Sequence, residues 1–260
     1  MSQRTSYPPG TPSWTDLATS DVEASARFYA ELLGWNAEEP AGAAEDFGGY
    51  RMFTLGGSNV AGLAPAREGS PPSWSTYISV QDVDATLATA REHGAKILQD
   101  TLEIPGAGRM AAFSDAVGAP LSLWEPGGHI GAEVVNDPGA LCWTELACRD
   151  PEVAEAFYAE VFGWTTRTET AGGAPYTQWL LDDRVVGGML TMGGEWPAEI
   201  PAHWMSYFAA TDTDAVAAKA GELGGKVLVP PTTMPVGRFC VLADDQGAAF
   251  SVIALTDPDA

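Results

Sequence analysis

Ser13-Trp14-Thr15-Asp16-Leu17-Ala18 opens a stretch that runs through Ala26-Arg27-Phe28-Tyr29-Ala30-Glu31 to Gly34-Trp35, and the chain contains it twice. The second copy is Cys142-Trp143-Thr144-Glu145-Leu146-Ala147, Glu155-Ala156-Phe157-Tyr158-Ala159-Glu160 and Gly163-Trp164, each 129 residues on, as from Trp14 to Trp143. The echo continues downstream. Trp74-Ser75-Thr76-Tyr77 answers Trp204-Met205-Ser206-Tyr207, and Asp82-Val83-Asp84-Ala85 answers Asp212-Thr213-Asp214-Ala215, here at an offset of 130. Gly108-Arg109 answers Gly237-Arg238, and residues 118–122 answer 247–251, again at 129. A near-constant offset over most of a chain marks a duplication. The Gly- and Pro-containing stretch 126–138 suits a linker, so we expect two tandem domains, 11–126 and 139–256.

Each half divides again. Residues 14–19 read as a strand, and Asp21 then caps a helix carrying Val22, Ala26, Tyr29 and Leu33 at helical spacing. Gly34 stops that helix. Short strands follow around 35–38, 50–55 and 61–64. A second unit repeats the order: strand 75–80, helix 82–93, then strands 96–101, 109–114 and 119–125. Four β-α-β-β-β units in two pairs give an α+β fold with cup-shaped mixed sheets, not a doubly wound parallel sheet. No Gly-x-Gly-x-x-Gly opens a helix, so a dinucleotide site is not expected. The polar ends, 1–13 and 256–260, read as loose.

The chain has 260 residues, 45% of them hydrophobic, enough to bury a sizeable core. Its formal charge of −22, from 35 acidic and 13 basic residues, repels phosphate backbones and anionic membranes. Neither nucleic acid nor membrane is an expected partner. Cys142, Cys148 and Cys240 form no disulfide framework and no zinc-ribbon spacing. With no secretory pattern at the start and no bilayer-length apolar run, the expected location is the cytoplasm.

The pattern Phe-Tyr, four residues, Gly-Trp, together with Ser114-Asp115-x-x-Gly118-x-x-Leu121-Ser122-Leu123 and its echo Ala243-Asp244-x-x-Gly247-x-x-Phe250-Ser251-Val252, resembles the vicinal-oxygen-chelate superfamily. That superfamily contains glyoxalases, bleomycin-resistance proteins and extradiol dioxygenases. More narrowly, the chain is similar to the two-domain actinobacterial proteins labelled "hydroxylase" or "glyoxalase-like". The likeness covers nearly the whole chain and speaks for the fold more than the reaction, since one fold hosts many functions. In metal-dependent members, ligands come from a His, Gln or Glu on the first strand, a His on the second unit's first strand and a Glu on the last strand. By position this chain offers Trp14, Ser75 and Ser122 in one half, and Trp143, Met205 and Ser251 in the other. Indole nitrogen has no lone pair to donate, neutral serine is a poor ligand, and thioether suits soft ions only. The resemblance implies a pocket; these residues imply no metal and no cofactor.

Strand alternation puts Asp16 on the face of Trp14, Glu145 beside Trp143, Tyr77 beside Ser75, Tyr207 beside Met205 and Trp124 beside Ser122. An apolar cup with an indole, a carboxylate and a phenol is the composition of a small-molecule site, and such rings suit flat aromatic ligands. The expected function is metal-independent binding of small aromatic molecules, to sequester a natural product or assist its biosynthesis. The alternative is a glyoxalase- or dioxygenase-type enzyme, metal-dependent or using Asp16 or Glu145 as general base. Structural readings stand beside these: Trp14 and Trp143 as core plugs, and Arg109 or Arg238 as ion-pair partners of the carboxylates. His93 reads as a helix-end residue, His129 as a solvated linker residue and His203 as a surface residue. Cys142 lacks a basic partner and does not read as a nucleophile. Phe28, Tyr29, Phe157 and Tyr158 read as helix-packing residues. Four units complete both cups in one chain, so the state is monomer or homodimer.

Overall fold

The computed structural model describes residues 2–39, 48–171 and 174–256. The first module comprises β2 (Thr11–Thr19), α1 (Val22–Leu33), β3 (Asn36–Glu38), β4 (Arg51–Leu55) and β5 (Ser58–Pro65), preceded by a short β1 (Ser2–Gln3). The second is β6 (Ser73–Ser79), α2 (Val83–Glu92), β7 (Lys96–Ile104), β8 (Gly108–Ser114) and β9 (Pro120–Pro126), after which β10 (Val134–Val135) lies in the linker. The third is β11 (Leu141–Cys148), α3 (Pro151–Phe162), β12 (Thr165–Ala171), β13 (Ala174–Leu181) and β14 (Arg184–Thr191). The fourth is β15 (His203–Ala209), α4 (Thr213–Glu222), β16 (Lys226–Met234), β17 (Gly237–Ala243) and β18 (Ala249–Leu255).

Each pair of modules makes one open eight-stranded sheet, ordered β3-β4-β5-β2-β6-β9-β8-β7 and β12-β13-β14-β11-β15-β18-β17-β16. The two leading strands of each half run antiparallel at its centre, with Asp16 opposite Ser75 and Glu145 opposite Met205. Each is flanked on its other side by a parallel neighbour. The result is α+β and twofold repeated, two tandem domains of the expected kind.

Local chemistry sets the elements. Asp21, Asp82 and Asp212 cap α1, α2 and α4 by accepting the amides of Ala24, Ala85 and Ala215 at 2.9–3.0 Å. Helix α3 instead begins with Pro151 in its first turn. Gly34 and Gly163 end their helices at φ 76° and 70°, a left-handed conformation that favours glycine. Among the described residues no helix is long and apolar enough to cross a membrane.

The helix-packing residues join the two halves. Tyr29 donates to Asp244 at 3.1 Å and Tyr158 donates to Asp115 at 2.6 Å, each across the domain boundary. The Trp74 and Trp204 indoles donate to those same phenols at 3.0 and 2.8 Å. Trp35 donates to the Gly139 carbonyl at 2.7 Å, and Trp164 to that of Gly10 at 2.8 Å. One large core mixes Leu17, Phe28 and Phe53 with Phe208, Leu242 and Phe250, and the reciprocal core mixes Ile78 and Phe113 with Leu146 and Phe157. Each such side chain stabilises the fold by about 1.5–3 kcal/mol on full burial, and each core draws on both halves.

The N-terminus differs from expectation. Ser2–Gln3 pairs antiparallel with Val134–Val135 of the linker, and the Tyr7 hydroxyl donates to Ala132 O at 2.6 Å. A strand ladder and a half-buried phenol hold both segments against the first sheet. Thr256 donates its amide to Val236 O at 3.0 Å; the remainder of the expected loose C-terminal end, 257–260, lies outside the described residues.

Candidate functional site: two cups of unequal occupancy

Alternation along the central strands separates two faces. Thr15 faces the other half, its hydroxyl 2.9 Å from that of Ser206. Trp14 and Asp16 therefore face the concave side, and cross-strand register puts Ser75, Tyr77, Ser122 and Trp124 there too. The second cup holds Trp143, Glu145, Met205, Tyr207 and Ser251 by the same register. All the residues singled out from the sequence thus converge on two concave faces.

Each cup is organised around a carboxylate, Asp16 half-buried in the first and Glu145 buried in the second. Asp16 accepts from the Trp14 indole at 2.7 Å, the Tyr50 hydroxyl at 2.8 Å and the Tyr77 hydroxyl at 2.7 Å. Glu145 accepts from the Tyr176 hydroxyl at 2.7 Å and the Tyr207 hydroxyl at 2.9 Å, while the Trp143 indole donates to Tyr176 at 2.9 Å. One carboxylate, one indole and two phenols recur in both cups, with the second indole bonded to its phenol and the first to both phenol and carboxylate. Burial raises both carboxyl pKa values, against the phenol hydrogen bonds (and, for Asp16, the indole) that pull them down. Burial, and next to it the adjacent carboxylate, pushes Tyr50, Tyr77, Tyr176 and Tyr207 upward, so the phenols remain donors.

Arginine does not serve these carboxylates. Arg109 pairs with Asp84, Glu103 and Glu125, and Arg238 with Asp214, all on the outside. The ion-pair reading is corrected: each carboxylate is satisfied by neutral donors instead, which lets it be buried without a countercharge.

Tyr50 and Tyr176 were not among the residues picked from the sequence. They sit in a segment whose repeat offset is 126, not 129, between loops of different length. A usable signal was present: each tyrosine is followed twelve residues later by a glycine, Gly62 and Gly188. A Cβ at Gly62 would fall 2.0 Å from Asp16 Oδ1 and 2.1 Å from Tyr50 Oη; at Gly188 it would fall 1.9 Å from Tyr176 Oη. Only a residue without a side chain leaves room for the carboxylate–phenol pair.

The cups differ in what covers them. Over the first, the linker folds back. His129 sets its ring edge-on to Trp14, centroids 4.6 Å apart, and also touches Trp124 at 5.5 Å. The Trp124 indole donates to His129 O at 2.8 Å, and the His129 and Ala132 amides donate to Ala107 O and Ser13 O. Trp14, Tyr77, Trp124, Ala132 and Val135 form one buried cluster with Tyr7 at its edge. Trp14 is left 3% exposed. The solvated reading of His129 is therefore corrected: its Nε2 is buried with no hydrogen-bond partner among the described residues, and burial lowers its pKa to about 4. In the second cup the indole of Trp143 keeps solvent-accessible surface above a buried Glu145, whereas Tyr176, Met205, Phe239 and Val241 are half-buried just as Tyr50, Ser75, Met110 and Ala112 are in the first. Ile253 stands there in the register of Trp124, opposite Phe239 as Trp124 is opposite Met110.

The donor set does not fit a metal. The three positions per cup that carry ligands in metal-dependent relatives by resemblance hold indole, hydroxyl and hydroxyl, or indole, thioether and hydroxyl. Asp16 and Glu145 are each engaged by phenols. Among the described residues no three His, Cys, Asp or Glu side chains converge. Of the histidines, His93 caps the end of α2 near Glu160, and His203 turns its Nδ1 to Pro201 O. Cys142 lies against Tyr207 O, and burial raises its thiol to about 12, a poor nucleophile.

Comparison with known proteins supplies context. The Glyoxalase/Bleomycin resistance protein/Dioxygenase superfamily profile matches residues 11–123 and 140–259. A putative glyoxylase, CFP32, of Mycobacterium tuberculosis is 44% identical, with 97% of this chain and 98% of that protein covered. The anthracycline biosynthesis protein DauV of Streptomyces sp. strain C5 is 34% identical, with 97% and 96% covered. Among solved structures, a Mn(II)-bound glyoxalase from Novosphingobium aromaticivorans aligns at TM-score 0.64 and 15% identity, over 95% of this chain and 82% of that one. Homoprotocatechuate 2,3-dioxygenase from Brevibacterium fuscum, in complex with 3,4-dihydroxyphenylacetate, aligns at 0.64 and 14%, over 99% and 86%. At such identities the structures speak for the fold alone.

Proposed function

The chain belongs to the glyoxalase/bleomycin resistance protein/dioxygenase superfamily, and from that premise we propose that it is a metal-independent binding protein for small aromatic molecules. The observation that carries this reading is the ligand-position swap. Where a metal-dependent relative needs His and Glu, this chain has Trp143, Met205 and Ser251 beside Glu145, Tyr176 and Tyr207. Indole and thioether faces contribute dispersion and ring contacts, and the carboxyl and phenols fix orientation through hydrogen bonds. A relative named for anthracycline biosynthesis supports a polycyclic natural product, either sequestered or presented to a biosynthetic step.

In this proposal the domains span 11–126 and 139–256, and the protein works in the cytoplasm as a monomer or homodimer, without nucleic acid or membrane. The first half's candidate residues, Trp14, Asp16, Ser75, Tyr77, Ser122 and Trp124, line the corresponding cup.

A specific observation favours one further reading. Asp16, half-buried, and Glu145, buried, are carboxyls with raised pKa values in contact with phenols, the arrangement of a general acid–base pair. An isomerase or lyase would use Glu145 to move a proton on a bound carbonyl compound. Metal analysis and tryptophan-quenching titration with an anthracycline separate these readings. Metal below a tenth of an equivalent, with saturable quenching and an unaltered ligand, supports binding. Turnover that Glu145→Gln abolishes without lowering the melting temperature supports the acid–base enzyme. Stoichiometric metal would overturn both.

A further inference from the structure

The described residues expose nine large hydrophobic side chains, and five of these, Val227, Leu228, Val229, Met234 and Val236, fall within ten consecutive residues. Those ten, Val227-Leu228-Val229-Pro230-Pro231-Thr232-Thr233-Met234-Pro235-Val236, include no charged side chain, in a chain of formal charge −22. Lys226 and Arg238 bracket them, so residues 226–238 hold two basic side chains and no acidic one. The stretch is β16 with the turn into β17, and β16 is the outermost strand of the second sheet. Contiguous apolar surface on an open sheet edge marks a place where another chain associates.

The counterpart edge in the first half is defended. β7 ends the first sheet in the same position, and its exposed Leu98 and Leu102 are interleaved with Lys96, Asp100 and Glu103. Arg91 reaches Asp100 and Arg109 reaches Glu103, so a charged layer lies along that edge. Such charges keep sheet edges apart. In β16, Pro230 stands where β7 has Asp100, at the offset of 130, and Thr233 stands opposite Arg238 as Glu103 stands opposite Arg109.

The prolines decide the kind of contact. Pro230 and Pro231 have no N–H to donate, and the register to β17 shifts between Val227 and Val229 and again between Val229 and Thr232. A further strand added along this edge would lose ladder bonds. The segment therefore offers side chains, not a backbone ladder, which disfavours open-ended growth and suits a closed contact.

We propose that residues 227–236 are the contact through which two copies of this chain form a twofold dimer, each hairpin packing its apolar side chains on the other. Charge selects a second copy as the partner. Two chains of −22 repel wherever their acidic surfaces meet, and at this edge each presents an uncharged strand with basic ends. A twofold contact must be self-complementary, which an uncharged apolar patch satisfies. A lasting interface takes roughly 20–30 residues a side, more than this hairpin supplies, so the dimer dissociates on dilution. The inference goes beyond the reading of the cups and does not depend on what they bind.

Analytical ultracentrifugation of the full chain over a concentration series tests this. The expected result is a reversible shift from 27.3 kDa to twice that mass as concentration rises. Raising salt from about 0.01 to 0.15 M shortens the Debye length from about 30 to 8 Å. The dimer is expected to tighten roughly tenfold over that range, because repulsion between the acidic surfaces is screened. Leu228→Lys with Val236→Lys alters the two most exposed positions, 52% and 57%. This pair is expected to weaken the dimer by about two orders of magnitude, the cost of burying unpaired charges, with the melting temperature of dilute monomer unchanged. Thr232→Lys with Thr233→Lys, exposed in the same strand, does the same should the first pair disturb folding. The matching β7 pair, Leu98→Lys with Leu102→Lys, leaves the dimer intact. Monomer at every concentration would give the hairpin to a different partner and overturn the inference. So would association that weakens with salt, assembly past two copies, a dimer that survives both β16 variants, or one lost in the β7 variant. Each of these results leaves the reading of the cups untouched.

Discussion

The two cups of this chain share a floor and differ in their lids. In the first, a half-buried Asp16 is held by three donors and the Trp14 indole is packed under His129. In the second, a buried Glu145 is held by two phenols, and the indole of Trp143 keeps solvent-accessible surface. Duplication made two similar constellations, and the linker between the halves packs on the first. The difference teaches that a repeated constellation is not a repeated function: what covers it decides whether an indole is core or contact surface.

The comparison can be broken by truncation. Trp14→Ala removes a fully packed indole and is expected to cost about 3–5 kcal/mol of stability, seen as a lowered denaturation midpoint, while anthracycline affinity per folded molecule stays near wild type. Trp143→Ala is expected to reverse the pattern: a smaller stability loss, and quenching by anthracycline weakened roughly tenfold or more, the scale of about 1.4 kcal/mol. Equal stability losses would put both indoles in the core and end the distinction.

Glycine substitutions sharpen it. Gly62→Ala and Gly188→Ala each force a Cβ onto a phenol or carboxylate oxygen, and overpacking of this kind costs roughly 1–3 kcal/mol. Both are expected to melt earlier. Only Gly188→Ala is expected to impair ligand binding, by displacing Tyr176 and with it Glu145.

The smallest effects are those of protons. Asp16 and Glu145 have raised pKa values in the fold, so their contribution to stability is complete below the unfolded carboxyl pKa of about 4. It is lost as pH rises through the folded values. Glu145→Gln should flatten that part of the profile. His129 has the opposite sign: its pKa falls from 6.5 to about 4, so its contribution is complete above 6.5 and is lost as pH falls towards 4. Glu133, the charged neighbour that acts on it, opposes this only in part. Measured across pH 7 to 4, the stability of His129→Phe relative to wild type should rise as the solution becomes more acid. A flat difference would place His129 in solvent.

Much of this architecture was legible in the sequence. The Trp14 and Trp143 repeats, the Asp21, Asp82 and Asp212 caps and the Gly34 and Gly163 stops are local signals. Strand alternation from Trp14 and Trp143 was enough to put Asp16 and Glu145 on the concave side. Three things were not legible for a common reason. Tyr50 and Tyr176 reach the carboxylates from a neighbouring hairpin across an irregular offset. Neutral phenols, not Arg109 or Arg238, satisfy the buried charges. His129, in a polar Gly- and Pro-containing stretch, has no periodicity to announce that it turns inward. All three are contacts between segments distant in the chain, and of them only the tyrosines leave a trace in spacing, the glycine twelve residues after each.

The most direct test of the account is a crystal structure of the chain grown with an anthracycline and with manganese(II) both present. The account predicts one planar ligand in the second cup, against Trp143 with its polar edge towards Glu145, with His129 still on Trp14 and no metal at Trp143, Met205 and Ser251. Ligand in the first cup with the linker displaced, or a metal ion at either set of positions, would contradict it.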